Sequence, residues 1–295
     1  MKKRIKFRTK RQDGSSYKSE EVSEGKVRLD LDGVKAVEKE LLREFVRICE
    51  KNGLYYTLCG GTLLGCIRHK GFIPWDDDID VLMPRPDYDK LLCGEADLST
   101  LPDHVKVVCW KDGSMNFPFI KLVDMRTEVK VDYFDERYHV NHIWIDVFPI
   151  DGNTDDRATC VANCRKIHLL RHILTLKMSK SGEGKNYLKA ALKPVAKVFL
   201  RPISMQYLCR RIDELSKSYP FDNDRTAIGY LWGYGPQEAI DREKFMAPLL
   251  REFEGEMYQV PSNYDEYLSN LYGDYMQLPP EEQRVVHGLT AYMKK

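Results

Sequence analysis

The sequence predicts an α/β (α+β) protein in which a mixed sheet core flanked by helices precedes a mainly helical C-terminal half. Before about residue 155, short apolar runs of strand length alternate with segments of helical spacing, and Gly and Pro separate them. Beyond that point helical spacing predominates. The chain has 295 residues and is 43% hydrophobic, which is enough for one large core or two modest ones.

Changes in composition divide the chain into three regions. Residues 1–30 are polar and mixed in charge, and they predict a loosely ordered arm. Residues 31–155 predict the α/β core, and residues 156–295 the helical region. The boundary is placed at GNTDD, residues 152–156, because these residue types favour turns.

The core begins with a helix, because apolar residues recur at helical spacing over 34–49, and Asn52-Gly53 ends it. The run LYYTLC, residues 54–59, predicts a strand, after which Thr62 is expected to cap a short helix over 62–69. Further strands are predicted over 79–83, 105–110, 118–123, 128–134 and 142–148.

Hydropathy and cysteine usage indicate the compartment. No run approaches the roughly 18 apolar residues of a membrane span, and the basic N-terminus lacks the apolar core of a secretory signal. The eight cysteines contain no C-x-x-C and mostly lie in apolar runs. We therefore expect a cytoplasmic protein with reduced, largely structural cysteines.

The run PWDDDID, residues 74–80, concentrates four carboxylates, although like charges at this spacing repel each other. In extended backbone Asp76, Asp78 and Asp80 share one side, and Asp77 lies on the other. Carboxylates directed at one point require a cation. Hard divalent ions such as Mg²⁺ or Mn²⁺ bind carboxylate oxygens and complete their shell with substrate phosphates. The run therefore predicts a divalent metal site.

Two further features point to phosphate chemistry. Gly60-Gly61 lies between a predicted strand and a short helix, where glycines let a phosphate approach the backbone and the helix N-terminus offers free N–H groups. Asp146 lies mid-strand among apolar neighbours, where an acid without a partner is costly to bury. Asp146 is therefore the expected third carboxylate, with Asp151 and Asp132 as weaker candidates.

Simpler interpretations of the acidic run are less consistent with the sequence. Asp76, Asp78, Asp80 and Asp87 occupy positions 1, 3, 5 and 12 of a calcium loop, but its position 6 is Val81 instead of Gly. A solvated acidic turn explains Asp77 and leaves the apolar setting of Asp146 unexplained.

A basic stretch covers residues 157–211, with thirteen Lys and Arg against one acid. Such a patch attracts phosphates, or it is a solvated helix face. Between 188 and 203, Lys or Arg every four residues accompanies apolar residues, a composition typical of helices on anionic surfaces, and two prolines divide it. We expect contact with a membrane surface or with acceptor phosphate.

The segment TCVANCRKIHLLRH resembles a zinc site in composition, with Cys160, Cys164, His168 and His172 spaced by four. On a helix these residues climb about 18 Å and drift around the axis, so at most one adjacent pair can share an ion. A buried stripe is the favoured interpretation.

The order Gly60-Gly61-Thr62, then Asp78-Ile79-Asp80, then Asp146 on a later strand resembles the nucleotidyltransferase fold. The block from CGGTLLG to DYDKL, residues 59–91, resembles the signature of the LicD family, the phosphocholine transferases of bacterial surface glycans, to which fukutin-related proteins are similar. IKLVDMRTEV, WIDVFPID and YLSNLYGDYMQLPPEEQRVVH are also similar to segments of that family.

The resemblance implies transfer of a substituted phosphate, typically phosphocholine from CDP-choline, to a sugar hydroxyl, with CMP leaving. Asp78, Asp80 and Asp146 are then the catalytic acids and the ligands of Mg²⁺ or Mn²⁺, and Asp146 also accepts the proton of the acceptor hydroxyl. The expected partners are a CDP-alcohol and a glycan or lipid-linked glycan, such as a teichoic-acid or lipopolysaccharide precursor, and no nucleic acid. This activity fits a cytoplasmic protein peripheral to the inner face of the membrane.

Other residues near these motifs complete the expected site. The expected nucleotide and phosphate contacts are Gly60, Gly61, Thr62, Arg68, Lys121 and Arg284, with Lys70 and Arg126 as further cations. The expected substrate contacts are Trp75, Asp76, Trp144 and His287. Aromatic faces bind a quaternary ammonium well, and Trp75, Trp144, Tyr55 and Tyr133 are candidates.

Two other functions remain open at this stage. A nucleotidyltransferase would use the same acids to move NMP to a small acceptor, because the outcome depends on which phosphorus faces the acceptor. A non-catalytic protein that binds anionic glycans or lipid surfaces would use the basic stretch and would not need Asp80.

Overall fold

The computed structural model describes residues 25–131, 134–135, 137–138, 140–180, 187–222, 225–284 and 289–294. The helices are α1 (Leu31–Asn52), α2 (Gly60–His69), α3 (Arg85–Leu92), α4 (Arg157–Met178), α5 (Tyr187–Phe199), α6 (Met205–Ser216), α7 (Arg242–Phe245) and α8 (Tyr264–Tyr272). The strands are β1 (Lys26–Leu29), β2 (Thr57–Leu58), β3 (Asp80–Pro84), β4 (Val105–Val108), β5 (Ile120–Asp124), β6 (Thr127–Val131), β7 (Ile143–Gly152), β8 (Thr226–Ile228), β9 (Ile240–Asp241), β10 (Pro248–Phe253), β11 (Glu256–Pro261) and β12 (Leu289–Lys294).

The central sheet is mixed, which confirms the predicted α/β core. Its strand order is β2-β3-β7-β5-β4, and β8 and β9 continue it from the end of β7. The strands β3 and β7 are parallel, and the other pairs are antiparallel. The predicted strands at 79–83, 105–110, 118–123, 128–134 and 142–148 correspond to β3 through β7.

Helix α1 covers the sheet as its apolar spacing predicts. The Asp30 side chain caps it by accepting a hydrogen bond from the Gly33 N–H at 2.8 Å, and Gly53 ends it in the left-handed region at φ 61°. Its buried face packs against β5 and β7. All but one of the residues on that face are apolar, the exception being Glu38.

Helix α2 begins earlier than predicted. It starts at Gly60, and its N-cap, Cys59, makes no side-chain capping bond. The expected cap, Thr62, lies inside the first turn, where its hydroxyl oxygen accepts a hydrogen bond from the Asp80 N–H at 2.8 Å. The prediction of Thr62 as a cap was therefore wrong, because this hydroxyl fastens β3 to α2 instead.

The prediction of a mainly helical C-terminal half was also wrong. Beyond α6, the strands β8 and β9 extend the central sheet, and β10 and β11 form an antiparallel hairpin. Strand β12 pairs with both β6 and β1, so Lys26–Leu29, at the end of the predicted arm, belongs to a three-stranded sheet. These strands are short and mix polar with apolar residues, which left them without a clear period-2 signal.

All eight cysteines are free, and all but Cys93 are buried, in agreement with a structural role. In the part of the chain that is described, no helix combines the length and apolar character needed to cross a membrane.

A buried ion-pair network joins three elements. The Arg85 guanidinium at the start of α3 donates to both carboxylate oxygens of Asp151, at 2.5 and 3.0 Å, and to Asp213 of α6 at 2.8 Å. Asp151 has no exposed surface, and burial raises its pKa to about 6 against the opposing charge of Arg85. Asp151, a weaker candidate for the third carboxylate, therefore has a structural partner.

We predict that Arg85→Ala lowers the free energy of unfolding by about 3–5 kcal/mol, because it leaves the buried carboxylate of Asp151 without its ion-pair partner and Asp213 with Lys217 alone. Urea denaturation measures the change. Arg137→Ala is the control, because Arg137 is 75% exposed where it pairs with Asp135, and such a pair contributes about 1 kcal/mol at most. Equal losses in the two variants would contradict a structural role for the network.

Candidate active site

Three charged side chains form a row across adjacent strands of the central sheet. Asp80, the first residue of β3, is in register with Asp146 of β7, which is in register with Lys121 of β5. Residues in register on neighbouring strands project from the same face of a sheet. The structure thus brings two of the three predicted metal-binding acids together with one predicted phosphate-binding cation.

Lys121 and Asp146 form a buried ion pair. The Lys121 Nζ lies 2.5 Å from Asp146 Oδ1, and the lysine side chain is 3% exposed. The same Nζ lies 4.1 Å from the centre of the Trp144 ring. Burial lowers the pKa of Lys121 and raises that of Asp146, and their mutual attraction opposes both shifts. The pair therefore places the lysine nitrogen against a carboxylate oxygen at the centre of the acidic site.

The N-terminus of α2 approaches the same carboxylates. Gly60 has φ +52°, a conformation that side chains rarely adopt, and a Cβ there would lie 3.2 Å from Asp80 Oδ2. A Cβ on Gly61 would lie 2.8 Å from Asp76 Oδ2. The two glycines therefore allow the carboxylates to lie close to the helix N-terminus, whose partial positive charge is favourable for anions.

The acidic run alternates in burial, as extended backbone requires. Asp76, Asp78 and Asp80 are half-buried, whereas Asp77 and Ile79 are buried. The strand itself begins only at Asp80. Asp77 is 5% exposed, so the alternative of a solvated acidic turn, which had explained Asp77, was wrong.

Glu38 is a fourth acid that the sequence analysis missed. It lies on the buried face of α1, is 2% exposed, and its Oε2 makes no hydrogen bond. Burial, followed by the charges of Asp78 and Asp77, raises the pKa of Glu38 well above its usual value. An acid within the apolar stripe of α1 was the available signal, because a lone Glu is rarely buried without a function or a partner.

The C-terminal region also reaches the site. The Arg284 guanidinium lies 4.5 Å from the centre of the Trp75 ring, and its buried Nε has no hydrogen-bond partner. Burial raises the pKa of the Tyr267 hydroxyl well above its usual value, and the backbone N–H of Gly60 opposes that shift. Burial and the charges of neighbours, including Asp80, raise the pKa of Tyr272. His287 lies outside the described residues.

Three predicted phosphate contacts lie elsewhere. Arg68, at the far end of α2 from Gly60, donates to the carbonyl oxygen of Tyr275 at 2.7 Å. Lys70 is exposed, with Glu252 3.6 Å away. Arg126 pairs with Asp124 and Glu40.

Among the remaining candidates, the Tyr55 hydroxyl donates to the carbonyl oxygen of Phe245. Asp132 and Tyr133 lie outside the described residues.

The residues present fit a divalent ion in chemistry and position. Mg²⁺ usually binds one or two carboxylates and completes its shell with substrate phosphates. Asp80 and Asp146 stand side by side, and Glu38 adds a buried carboxyl oxygen without a partner. Within the described ranges no three His, Cys, Asp or Glu side chains converge on one point. The arrangement therefore suits an ion held by two carboxylates together with donor phosphates.

The four Cys and His residues of α4 do not form such a set either. Cys160 and Cys164 are buried, and Cys164, His168 and His172 line a cleft of about 410 Å³ between α4 and residues 234–236. The His168 Nε2 lies 3.3 Å from the Gly233 carbonyl oxygen. The prediction that all four cannot share one ion agrees with this arrangement.

Glu238 is buried beside the tyrosines that line the site. Its Oε2 accepts a hydrogen bond from the Tyr234 N–H at 2.9 Å, and its charge contributes to the raised pKa of Tyr267. Burial raises the pKa of Glu238 to about 7, and the Tyr234 hydrogen bond and the charge of Arg171 oppose that shift.

Comparison with known proteins places this site in a family. A family model described as LicD/FKTN/FKRP, nucleotidyltransferase domain, matches residues 53–172, which contain α2, β3, β5 and β7. The fold and the matched site therefore define a protein with a nucleotidyltransferase domain.

The lipopolysaccharide cholinephosphotransferase LicD of Haemophilus influenzae is 32% identical to this chain over 256 residues, which cover 84% of this chain and 91% of that protein. An uncharacterized protein of Rickettsia prowazekii is 43% identical over 42 residues, covering 14% of this chain and 16% of that protein. The chain belongs to the LicD family, which confirms the resemblance seen in its motifs.

We predict that stability falls as pH rises through the range set by Glu238. Its pKa is about 7 in the folded protein and near 4.5 when exposed. Between these values only the unfolded state loses the proton, so the free energy of unfolding decreases by about 1.4 kcal/mol per pH unit, or about 3 kcal/mol in all. Below pH 4.5 the protein has the whole of this stabilisation by Glu238, and above pH 7 it has lost it.

Glu238→Gln removes this part of the slope, which urea denaturation at pH 5 and pH 8 measures. Glu243→Gln, at an exposed position of α7, is the control and keeps the wild-type slope. An unchanged slope in Glu238→Gln would show that Glu238 ionises equally in both states.

Proposed function

We propose that this protein transfers a substituted phosphate, most specifically phosphocholine from CDP-choline, to a hydroxyl of a cell-surface glycan precursor and releases CMP. The observation that carries the proposal is the row Asp80, Asp146 and Lys121 beside the N-terminus of α2. The name of the Haemophilus relative, a lipopolysaccharide cholinephosphotransferase, supports the choice of phosphocholine. We place the reaction in the cytoplasm, where nucleotide-activated donors are available.

The donor pyrophosphate is expected to lie between α2 and the acidic row. Free N–H groups at a helix N-terminus bind phosphate oxygens, and the two glycines leave room for that approach. Asp80 and Asp146, with Asp78 next to them, would hold Mg²⁺ or Mn²⁺. When bound, this ion offsets the negative charge on the pyrophosphate oxygens.

The protein's own groups account for the remaining steps. Asp146 is positioned to accept the proton of the acceptor hydroxyl, whose oxygen forms a bond to the phosphorus that carries choline. The bond from that phosphorus to the bridging oxygen breaks, and the electron pair leaves with CMP. Lys121 remains beside the reacting phosphate as a fixed cation. Phosphoryl transfer depends mainly on such positioning and charge stabilisation, so no covalent nucleophile is needed.

Two tryptophans suit the cationic end of the donor. Trp75 has a guanidinium 4.5 Å from its ring centre, and Trp144 has an ammonium at 4.1 Å. Both rings thus already serve as faces for cations, which is the property that binds a quaternary ammonium. We assign Trp75 to choline, because the cation on Trp144, Lys121, is only 3% exposed, whereas the cation on Trp75, Arg284, is 30% exposed and can move aside for the donor.

We predict that Asp80→Asn lowers the rate of CMP release from CDP-choline and Mg²⁺ by at least about 100-fold, because a preorganised charge is lost from the site. The assay tests CDP-choline, CDP-ethanolamine, CDP-glycerol, CDP-ribitol and NTPs as donors. It measures the release of both CMP and pyrophosphate. Thermal melting of the variant should match the wild type within a few degrees.

Asp103→Asn, at an exposed position before β4, is the matched control and retains wild-type turnover. Release of pyrophosphate from NTPs without CMP from any CDP-alcohol would instead establish a nucleotidyltransferase. Full turnover in Asp80→Asn would contradict both enzymatic functions.

We predict that Trp75→Leu raises the KM for CDP-choline by about 3- to 30-fold, the range expected when a cation–π contact is lost. CDP-glycerol lacks the quaternary ammonium and makes no cation–π contact, so its KM should change less than about 3-fold in the same variant. Trp75→Phe keeps an aromatic face and is the conservative control. Equal increases for both donors would assign Trp75 to packing alone.

A further inference from the structure

Helix α5 presents its apolar side chains to the outside. Leu192 and Val195 are 55% and 53% exposed, and Val198 and Phe199 are 69% and 78% exposed. The four residues fall within an arc of about 120° at 3.6 residues per turn. We call them the α5 apolar face. A surface helix normally directs such a stripe at the core, so this orientation is reversed.

Lysines attach the opposite side of α5 to the end of α4. The Lys193 Nζ donates to the carbonyl oxygen of Lys180 at 3.0 Å, and the Lys197 Nζ donates to that of Ser179. In return, the Lys177 Nζ donates to the carbonyl oxygen of Leu200 at 2.6 Å. These bonds explain why the polar side of α5 faces the protein. Nothing in the described part of the chain covers the α5 apolar face.

The segment of the chain that carries this face is strongly cationic. The stretch from 157 to 211 has thirteen Lys and Arg against one acid. Of these cations, Arg165 and Lys166 on α4 and Arg201 just beyond α5 are exposed. A partner for this surface therefore has to offer both an apolar layer and negative charge.

We propose that the α5 apolar face docks on a lipid bilayer that contains anionic lipids. Leu192, Val195, Val198 and Phe199 would enter the boundary between head groups and acyl chains. Arg201 is exposed two residues beyond Phe199, and a long cationic side chain reaches lipid phosphates from such a position while its stem stays apolar.

Other occupants satisfy these observations less well. A second copy of the chain would bring two stretches of the same high positive charge together, which is repulsive. A soluble glycan phosphate would bind the cations and leave the apolar face in water. The proposal goes beyond the transfer reaction and does not depend on it, because lipid binding is measured without any substrate.

The test is co-sedimentation of the full chain with two kinds of vesicle: phosphatidylcholine alone, and equal parts of phosphatidylcholine and phosphatidylglycerol. The wild type should bind the mixed vesicles at least about 10-fold more tightly than the neutral ones and lose binding at high salt. The double variant Val198→Asp, Phe199→Asp should lose at least about 10-fold in affinity for the mixed vesicles.

The matched control is Leu250→Asp, Met257→Asp on the β10–β11 hairpin, whose side chains are 56% and 58% exposed. It should bind as the wild type does, and thermal melting should show that both double variants fold. Three results would overturn the proposal: no sedimentation of the wild type, equal binding to neutral vesicles, or full binding by the α5 double variant. Dimers in analytical ultracentrifugation that this variant abolishes would identify a second copy as the occupant.

Discussion

The ion pair between Lys121 and Asp146 compensates part of the negative charge that the central sheet brings into its interior. Asp80 lies beside Asp146. Asp76 and Asp78, which precede Asp80, lie on the same side of the extended backbone, and Glu38 is buried nearby. Lys121, the N-terminus of α2 and these carboxylates form one cluster of mixed charge. Under the proposed function, a divalent ion would add positive charge to this cluster, and the donor pyrophosphate would share that ion instead of repelling the acids.

Several neighbouring elements lie close to these carboxylates. Helix α2 begins with two glycines, so its N-terminus comes close to the carboxylates of Asp80 and Asp76. The Thr62 hydroxyl fastens the start of β3 to that helix. The C-terminal half contributes Tyr267, whose pKa the backbone N–H of Gly60 lowers, and Arg284, which lies over Trp75. Residues of the α/β core and residues of the C-terminal half thus line the same site.

The sequence was sufficient for the local parts of this site. Glycines before a helix and acids at alternating positions have direct geometric consequences, so the position of Asp80 beside α2 was predictable, as was a strand carrying Asp146. The sequence favoured Asp146 over Asp151 as the third carboxylate but did not show their partners, which are distant along the chain: Lys121 for the first, and Arg85 for the second. Glu38, the C-terminal strands and the outward apolar face of α5 also depend on long-range packing, which periodicity does not encode.

The central claim is that Asp146 and a divalent ion together hold the donor pyrophosphate. Mn²⁺ in place of Mg²⁺ broadens the ³¹P resonances of any phosphate near it, so titration of CDP-choline with Mn²⁺ in the presence of protein tests the claim directly. The account predicts protein-dependent broadening of both pyrophosphate signals, with CDP-choline affinity at least about 10-fold weaker in Asp146→Asn or without the ion. Equal affinity in all three cases would contradict it.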